Sequence, residues 1–391
     1  MTTTEHQPDD ELEAVLEDGA ELSDGEIAQK VELGRRFANW RTLASFSFAL
    51  IILVVALSKS GVNVSDLKAA LRQVNPLLYL AAFLLYYVSF PLRTIRWRML
   101  MRNANTGVDA ERLRKASFVD LLEILYLSWF ANCVIPAKLG DVYRAYLTRG
   151  WVGISASRTV GTILAERVLD LIVLFPLLLG AALLTFRDRL LADSSLRYVL
   201  FGALGLGIFA LIAVLVLWKL GDRLHMVLPR RVHRMYHAFR EGALHSVRSD
   251  LLSLFGLTIL VWSCEGGRLY LVLASLGLTQ PGKLGPSAAM FLALGSSVLT
   301  TLPLAPGGLG FVETFLIAAF KTLKAGSTGG QAAAVALLDR IISYLSIVVI
   351  GFILYIVSKK TRHVLVTPPN GSGTGEETGA PVGARQARTA G

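Results

Sequence analysis

The sequence is short of charge, of cysteine, and of histidine wherever histidine would carry chemistry. Only 17% of its 391 residues are charged, against about a quarter in an average soluble domain. With 53% hydrophobic residues and a mean hydropathy of +0.53, a water-soluble globule and a disordered chain are both excluded. The two cysteines, Cys133 and Cys264, lie in apolar stretches at a spacing that suggests neither a disulfide framework nor a zinc site. All six histidines fall outside the apolar runs, so no metal centre is expected within a membrane. No G-x-x-x-x-G-K-[ST] phosphate loop occurs, and no cofactor is expected.

What the chain does have is long apolar runs. A helical span needs roughly 20 such residues, and 42–58, 76–97, 156–184, 197–219, 250–276 and 329–357 qualify. Two further apolar regions, 118–150 and 285–322, are each interrupted by a break bearing proline and glycine. The expected fold is therefore all-α: a polytopic helical membrane protein with about six full spans plus two broken or re-entrant helical hairpins. Flanking it, residues 1–40 read as an acidic disordered cytoplasmic tail and 361–391 as a second disordered cytoplasmic tail, leaving 41–360 as the transmembrane domain.

The formal net charge of +10 is unevenly spread, because residues 1–40 hold 11 acids and 3 bases. Excess Lys and Arg in a membrane protein mark cytoplasmic loops facing anionic lipid, so no nucleic-acid partner is expected. Residues 93–117 and 219–249 each carry seven basic residues and should be cytoplasmic. Region 118–150 then begins and ends on the cytoplasmic side, and 285–322 enters and leaves from outside. Both termini fall in the cytoplasm, with the cytoplasmic membrane as the location.

The two breaks share a pattern. Pro136-Ala-Lys138-Leu139-Gly140-Asp141-Val142 and Pro306-Gly307-Gly308-Leu309-Gly310-Phe-Val312 both read P-x-x-L-G-x-V, 170 residues apart. Each precedes a span with an adjacent acid–arginine pair, Glu166-Arg167 and Asp339-Arg340. Broken helices in two oppositely oriented halves, here about 76–219 and 250–357, are a transporter signature. A helix restarting after a break presents free N–H groups and the positive end of its dipole, which suits an anion.

The ordered runs NCVIPAKLGDVYRAYL, GTILAERVLDLIVL, LPLAPGGLGFVE and LLDRIISYL resemble the lysylphosphatidylglycerol synthase transmembrane region, or flippase-like, family over about residues 41–360. The resemblance implies a fold that moves lipid between leaflets. In relatives that bear a C-terminal aminoacyltransferase domain, the membrane half is associated with moving aminoacylated phospholipid; no such domain is expected here, so synthase activity is not carried over. The family's usual residues at the positions of Lys138 and Asp141 are Arg and Glu, so charge is kept while the bidentate fork of arginine is lost.

The candidate substrate-binding residues are Lys138, Gly140, Asp141, Arg144, Glu166, Arg167, Pro306, Gly307, Gly308, Gly310, Glu313 and Arg340. A phosphate would rest at the helix start after Gly140, compensated by Lys138, Arg144, Arg167 and Arg340. Each has a plainer reading. Arg167 could be held by Glu166 and Asp170 on its own helix face, Arg340 could sit in a structural ion pair, and Glu313 could merely offset the helix dipole. Lys138, Asp141 and Arg144 could anchor at the interface, the prolines could simply end helices, and the glycines could serve close packing. Arg96, Trp97 and Arg98 read as an interfacial anchor, and Glu265 with Arg268 as a half-buried pair. The expected function is translocation of an anionic lipid, either a phospholipid or a polyprenyl-phosphate-linked one. A membrane-embedded transferase on a lipid-linked substrate, and a non-catalytic partner of a lipid-modifying enzyme, stay open.

Overall fold

Side-chain caps fix where several helices begin. The computed structural model describes residues 63–135, 139–187, 245–247, 250–279, 284–301, 305–324 and 326–358. Asn63 accepts from the amide of Ser65 at 3.1 Å to start α1 (Val64–Arg72). Asn75 accepts from Leu77 and Leu78 at 3.0 and 3.3 Å to start α2 (Pro76–Ala104), with Pro76 in the first turn, where its missing N–H costs nothing. A short helix, α3 (Gly107–Lys115), then turns through 95° into α4 (Phe118–Val134), whose amide at Asp120 is capped by Ser117 at 3.1 Å.

After the first break come α5 (Gly140–Val152) and α6 (Ala156–Phe186). The second half supplies α7 (Leu251–Ser275), α8 (Pro286–Thr301), a 3₁₀ turn at Pro306–Gly308, α9 (Phe311–Leu323) and α10 (Gly329–Val357). A π-helical turn at Ile341–Leu345 interrupts α10 directly after Arg340. Of the described helices, α2, α6, α7 and α10 are long and apolar enough to cross a membrane. The helices flanking each break have 17 and 13 residues in one half and 16 and 13 in the other. At 1.5 Å per residue the 13-residue helices reach only about 20 Å, short of a hydrocarbon core of about 30 Å.

The expected runs at 42–58 and 197–219, both tails and all of 219–249 except His245–Val247 lie outside the described residues. The span expected at 76–97 is longer than its apolar run: α2 continues to Ala104. Arg93 and Arg96 turn into the protein and are buried, so they belong to the helix interior and not to a cytoplasmic loop.

The bundle packs α2 against α7, α7 against α8, and α8 against α6, while α10 lies on α9, α4 and α1. Its main core joins Phe90, Leu125, Val272, Leu292, Phe320 and Ile342. Three tyrosines of α2 tie it to α10: Tyr79 donates to the Leu338 carbonyl at 3.0 Å, Tyr86 to the Ser343 carbonyl at 3.3 Å, and Tyr87 bonds Ser346 at 2.7 Å. These bonds reach α10 at and beside the π turn, where the i to i+4 ladder is interrupted. On the outer face, Leu77, Leu80, Leu84 and Val88 of α2 and Val349, Phe352, Ile353 and Ile356 of α10 are exposed. These stripes at helical spacing are surfaces for lipid tails, not for water.

Candidate functional site

At the first break, Asn132 near the end of α4 accepts the amide of Gly140 at 2.9 Å. A Cβ on Gly140 would lie 2.6 Å from the Asn132 side chain and against the carbonyl of Ser128, so the close approach of α5 to α4 requires glycine. One residue on, Asp141 faces α6 and takes Arg167 with both oxygens, at 2.9 and 3.0 Å from Nη2. Arg144, one turn further, is buried; it donates to Glu166 at 2.8 Å and lies 3.8 Å over the Trp97 ring. Pro136 and Lys138 lie outside the described residues.

At the second break, Gly307 (φ 56°) and Gly310 (φ 81°) adopt the left-handed backbone that glycine permits. Arg340 of α10 donates from Nε to Glu313 at 2.6 Å and from Nη2 to the Gly307 carbonyl at 2.7 Å. Asp339 takes Arg268 of α7. Glu265 accepts Arg93 of α2 at 2.8 Å and Arg268 at 3.2 Å. Tyr344, packed on Gly307, donates to the Cys133 carbonyl at 3.1 Å and so joins the two breaks.

Three expectations are corrected. Glu166 and Asp170 do share a face, but they hold Arg96, at 2.8 and 2.6 Å; Arg167 is nearest Asp141, with Asp170 at 3.9 Å. Arg96 and Trp97 are fully buried and are not an interfacial anchor, because this stretch of α2 packs on α6 and α7. The pair at Glu265 and Arg268 is buried, and it extends to Arg93 and Asp339.

The ion pairs repeat. In each half, an arginine of the long helix that precedes the broken pair, α2 or α7, holds the acid of the acid–arginine pair: Arg96 to Glu166 across 70 residues and Arg268 to Asp339 across 71. The arginine of that pair holds an acid in the helix after the break: Arg167 to Asp141 across 26 residues and Arg340 to Glu313 across 27.

Between the breaks lies a cavity of about 150 Å³. Its charged lining is Arg93, Arg167, Arg268 and Arg340 with Asp170, Glu265 and Asp339, and its aromatic walls include Tyr86, Trp129, Trp262 and Tyr344. Of the residues expected from sequence, Arg167, Arg340 and Gly307 line it. Asp141, Glu166, Arg144 and Glu313 stand behind as ionic partners, while Gly140, Pro306, Gly308 and Gly310 shape the breaks. Arg93, Glu265, Arg268, Trp129 and Trp262 were missed as a group. For the charged three the signal was the interval of 172 residues separating Arg93 from Glu265 and Arg96 from Arg268; the two tryptophans left none.

Counting the partners behind the wall, six arginines (Arg93, Arg96, Arg144, Arg167, Arg268 and Arg340) meet six carboxylates (Asp141, Glu166, Asp170, Glu265, Glu313 and Asp339). The set is neutral, as a desolvated cluster must be to persist. Forked guanidinium groups at a small cavity match carboxylate or phosphate oxygens in pairs.

A bundle of helices with apolar outer faces closed around a charge-lined cavity defines a multi-pass membrane protein with a polar interior. Residues 44–351 match the lysylphosphatidylglycerol synthase TM region, and the chain belongs to that family. It is 33% identical to a UPF0104 membrane protein of Methanocaldococcus jannaschii over 62% of this chain and 98% of that protein. It is 25% identical to a UPF0104 membrane protein of Methanothermobacter thermautotrophicus over 81% and 93%. A third relative, the glycosyltransferase AglD of Haloferax volcanii, is 27% identical over 74% of this chain and half of its own length.

Proposed function

We propose that this protein carries an anionic lipid, by its phosphate-bearing headgroup, across the cytoplasmic membrane by alternating access between two inverted halves. The observation that supports it is the cavity where the breaks meet, lined by four arginines inside helices whose outer faces carry exposed apolar stripes. Charge held inside a membrane is costly enough to mark a substrate path by default. The headgroup is received there by the forks of Arg93, Arg167, Arg268 and Arg340, and the acyl or prenyl tail stays in the bilayer beside the exposed stripes. The matching ion-pair intervals support an internal repeat; the opposed orientation of its halves, with both termini cytoplasmic, rests on the distribution of Lys and Arg along the chain. In the conformation described, Asn132 occupies the amide of Gly140, which favours the arginine forks over that helix start as the phosphate seat.

A second reading is favoured by the similarity to a protein named as a glycosyltransferase over half of that protein's length. On it, this chain serves transfer to or from a lipid-linked substrate, by itself or beside a partner enzyme. Purified protein in liposomes, supplied with fluorescent lipids of several headgroups, separates the two. Exposure of an anionic lipid to the opposite leaflet supports carriage; a chemically altered lipid with no leaflet exchange replaces it with transfer.

A further inference from the structure

The neutrality of the charged set has a consequence for whatever anion enters. Six arginines are already matched by six carboxylates. One more negative charge in that desolvated space would stand uncompensated, at a cost the protein cannot absorb without releasing or neutralising a carboxylate.

The two halves differ in how firmly their acids are held. Asp141 gives both oxygens to Arg167. Glu313 gives only Oε1 to Arg340, at 2.6 Å, and its Oε2 is buried with no hydrogen-bond partner among the described residues. Arg340 spends its Nη2 on a neutral group, the Gly307 carbonyl at 2.7 Å, and it lines the cavity. Across the same cavity, Arg93 has a buried Nε without a partner. The groups facing Glu313 are few. On α10 these are Arg340 and Tyr344, with Asp339 committed to Arg268. Cys133, next to last in α4, lies beside Tyr344, α8 carries no titratable side chain, and Lys321 lies two turns on in α9 itself. Among the described residues, Arg340 is thus the one full positive charge bonded to Glu313.

We propose that the anionic headgroup enters together with a proton, which Glu313 carries. The phosphate takes the Arg340 fork in place of Glu313 and the Gly307 carbonyl. The released carboxylate binds one proton, its Oε2 being already unoccupied, and the cluster stays neutral. When the headgroup leaves on the other side, the proton leaves with it and the Glu313–Arg340 pair re-forms. This deepens the translocation reading and rests on it.

The test uses full-length protein in liposomes, a fluorescent phosphatidylglycerol, and a pyranine pH reading inside. With one proton per lipid anion, a pH gradient of one unit should drive about tenfold accumulation toward the alkaline leaflet. Proton movement should accompany the lipid, and a potassium diffusion potential should change nothing. In Glu313→Gln the amide stands in for the protonated acid. Movement should continue down the lipid gradient, lose its response to pH, and begin to follow the potential. Wild-type movement indifferent to the pH gradient and driven by the potential would overturn the coupling while leaving translocation intact. Failure of the wild type to move any lipid would remove the translocation reading, and the coupling with it.

Discussion

Arg93 of α2 and Glu265 of α7 bond to each other at 2.8 Å, and the 172 residues between them equal the interval from Arg96 to Arg268 and from Asp141 to Glu313. In the repeat proposed above, that shared interval makes the two counterparts, and this contact would join a position to its own equivalent in the other half. A bond of that kind lies where a symmetry axis relating the halves would run.

The pair is lopsided in its dependants. Glu265 serves both Arg93 and Arg268, whereas Arg93 has, among the described residues, Glu265 alone as its acid. Glu265→Gln should therefore destabilise more than Arg93→Gln. The first leaves one buried arginine without its acid and weakens a second, a loss of about 3–5 kcal/mol. Melting temperatures in detergent would show the order, and a larger drop for Arg93→Gln would contradict it.

Arg167→Gln and Arg340→Gln should each bring lipid movement to background while membrane insertion persists. Arg340→Gln strands a buried Glu313, so this single change should also lower stability; adding Glu313→Gln should restore the melting temperature but not transport. Recovery of transport in the double variant would show that Arg340 serves only to neutralise Glu313.

Gly140→Ala places a methyl group against the Ser128 carbonyl and the Asn132 side chain. Separating α5 from α4 should cost about 1–3 kcal/mol and loosen the Asp141–Arg167 fork. Reduced yield of folded protein on size-exclusion chromatography is the expected result; wild-type yield and transport would mean that the break accommodates the shift.

Sidedness can be read with thiols, since both native cysteines are buried. Val108→Cys on the exposed surface of α3 should react with an impermeant reagent only from the cytoplasm, and Gly326→Cys, in the turn before α10, only from outside. Reaction of both from one side would end the opposed orientation of the halves.

Much of this architecture was legible in the sequence. The spans at 156–184, 250–276 and 329–357 match helices to within two residues at either end, because an apolar run in lipid has no other way to satisfy its backbone. The breaks were legible too, through Pro306 and the glycines. The partners of the charges were not. Periodicity placed Glu166 and Asp170 beside Arg167, but only packing of α2 against α6 and α7 brings in Arg96 to claim them both. The same packing buries Trp97, which composition alone assigns to an interface. Arg93 looked like loop charge because a basic residue near the end of an apolar run ordinarily marks its boundary.

The π turn at Ile341–Leu345 sets the phase of one helix for two tasks. Before it, Asp339 and Arg340 point into the charged cluster; after it, Gly351 lies so near Phe130 that a Cβ would fall 2.5 Å from that side chain. A π turn holds one residue more than the α-helical ladder, and taking it out would rotate everything beyond by about 100°. Either the arginine would leave the cavity or a bulkier neighbour would be driven onto Phe130 in place of the glycine. The extra residue lets a single rod meet two partners whose directions no uninterrupted helix could satisfy together.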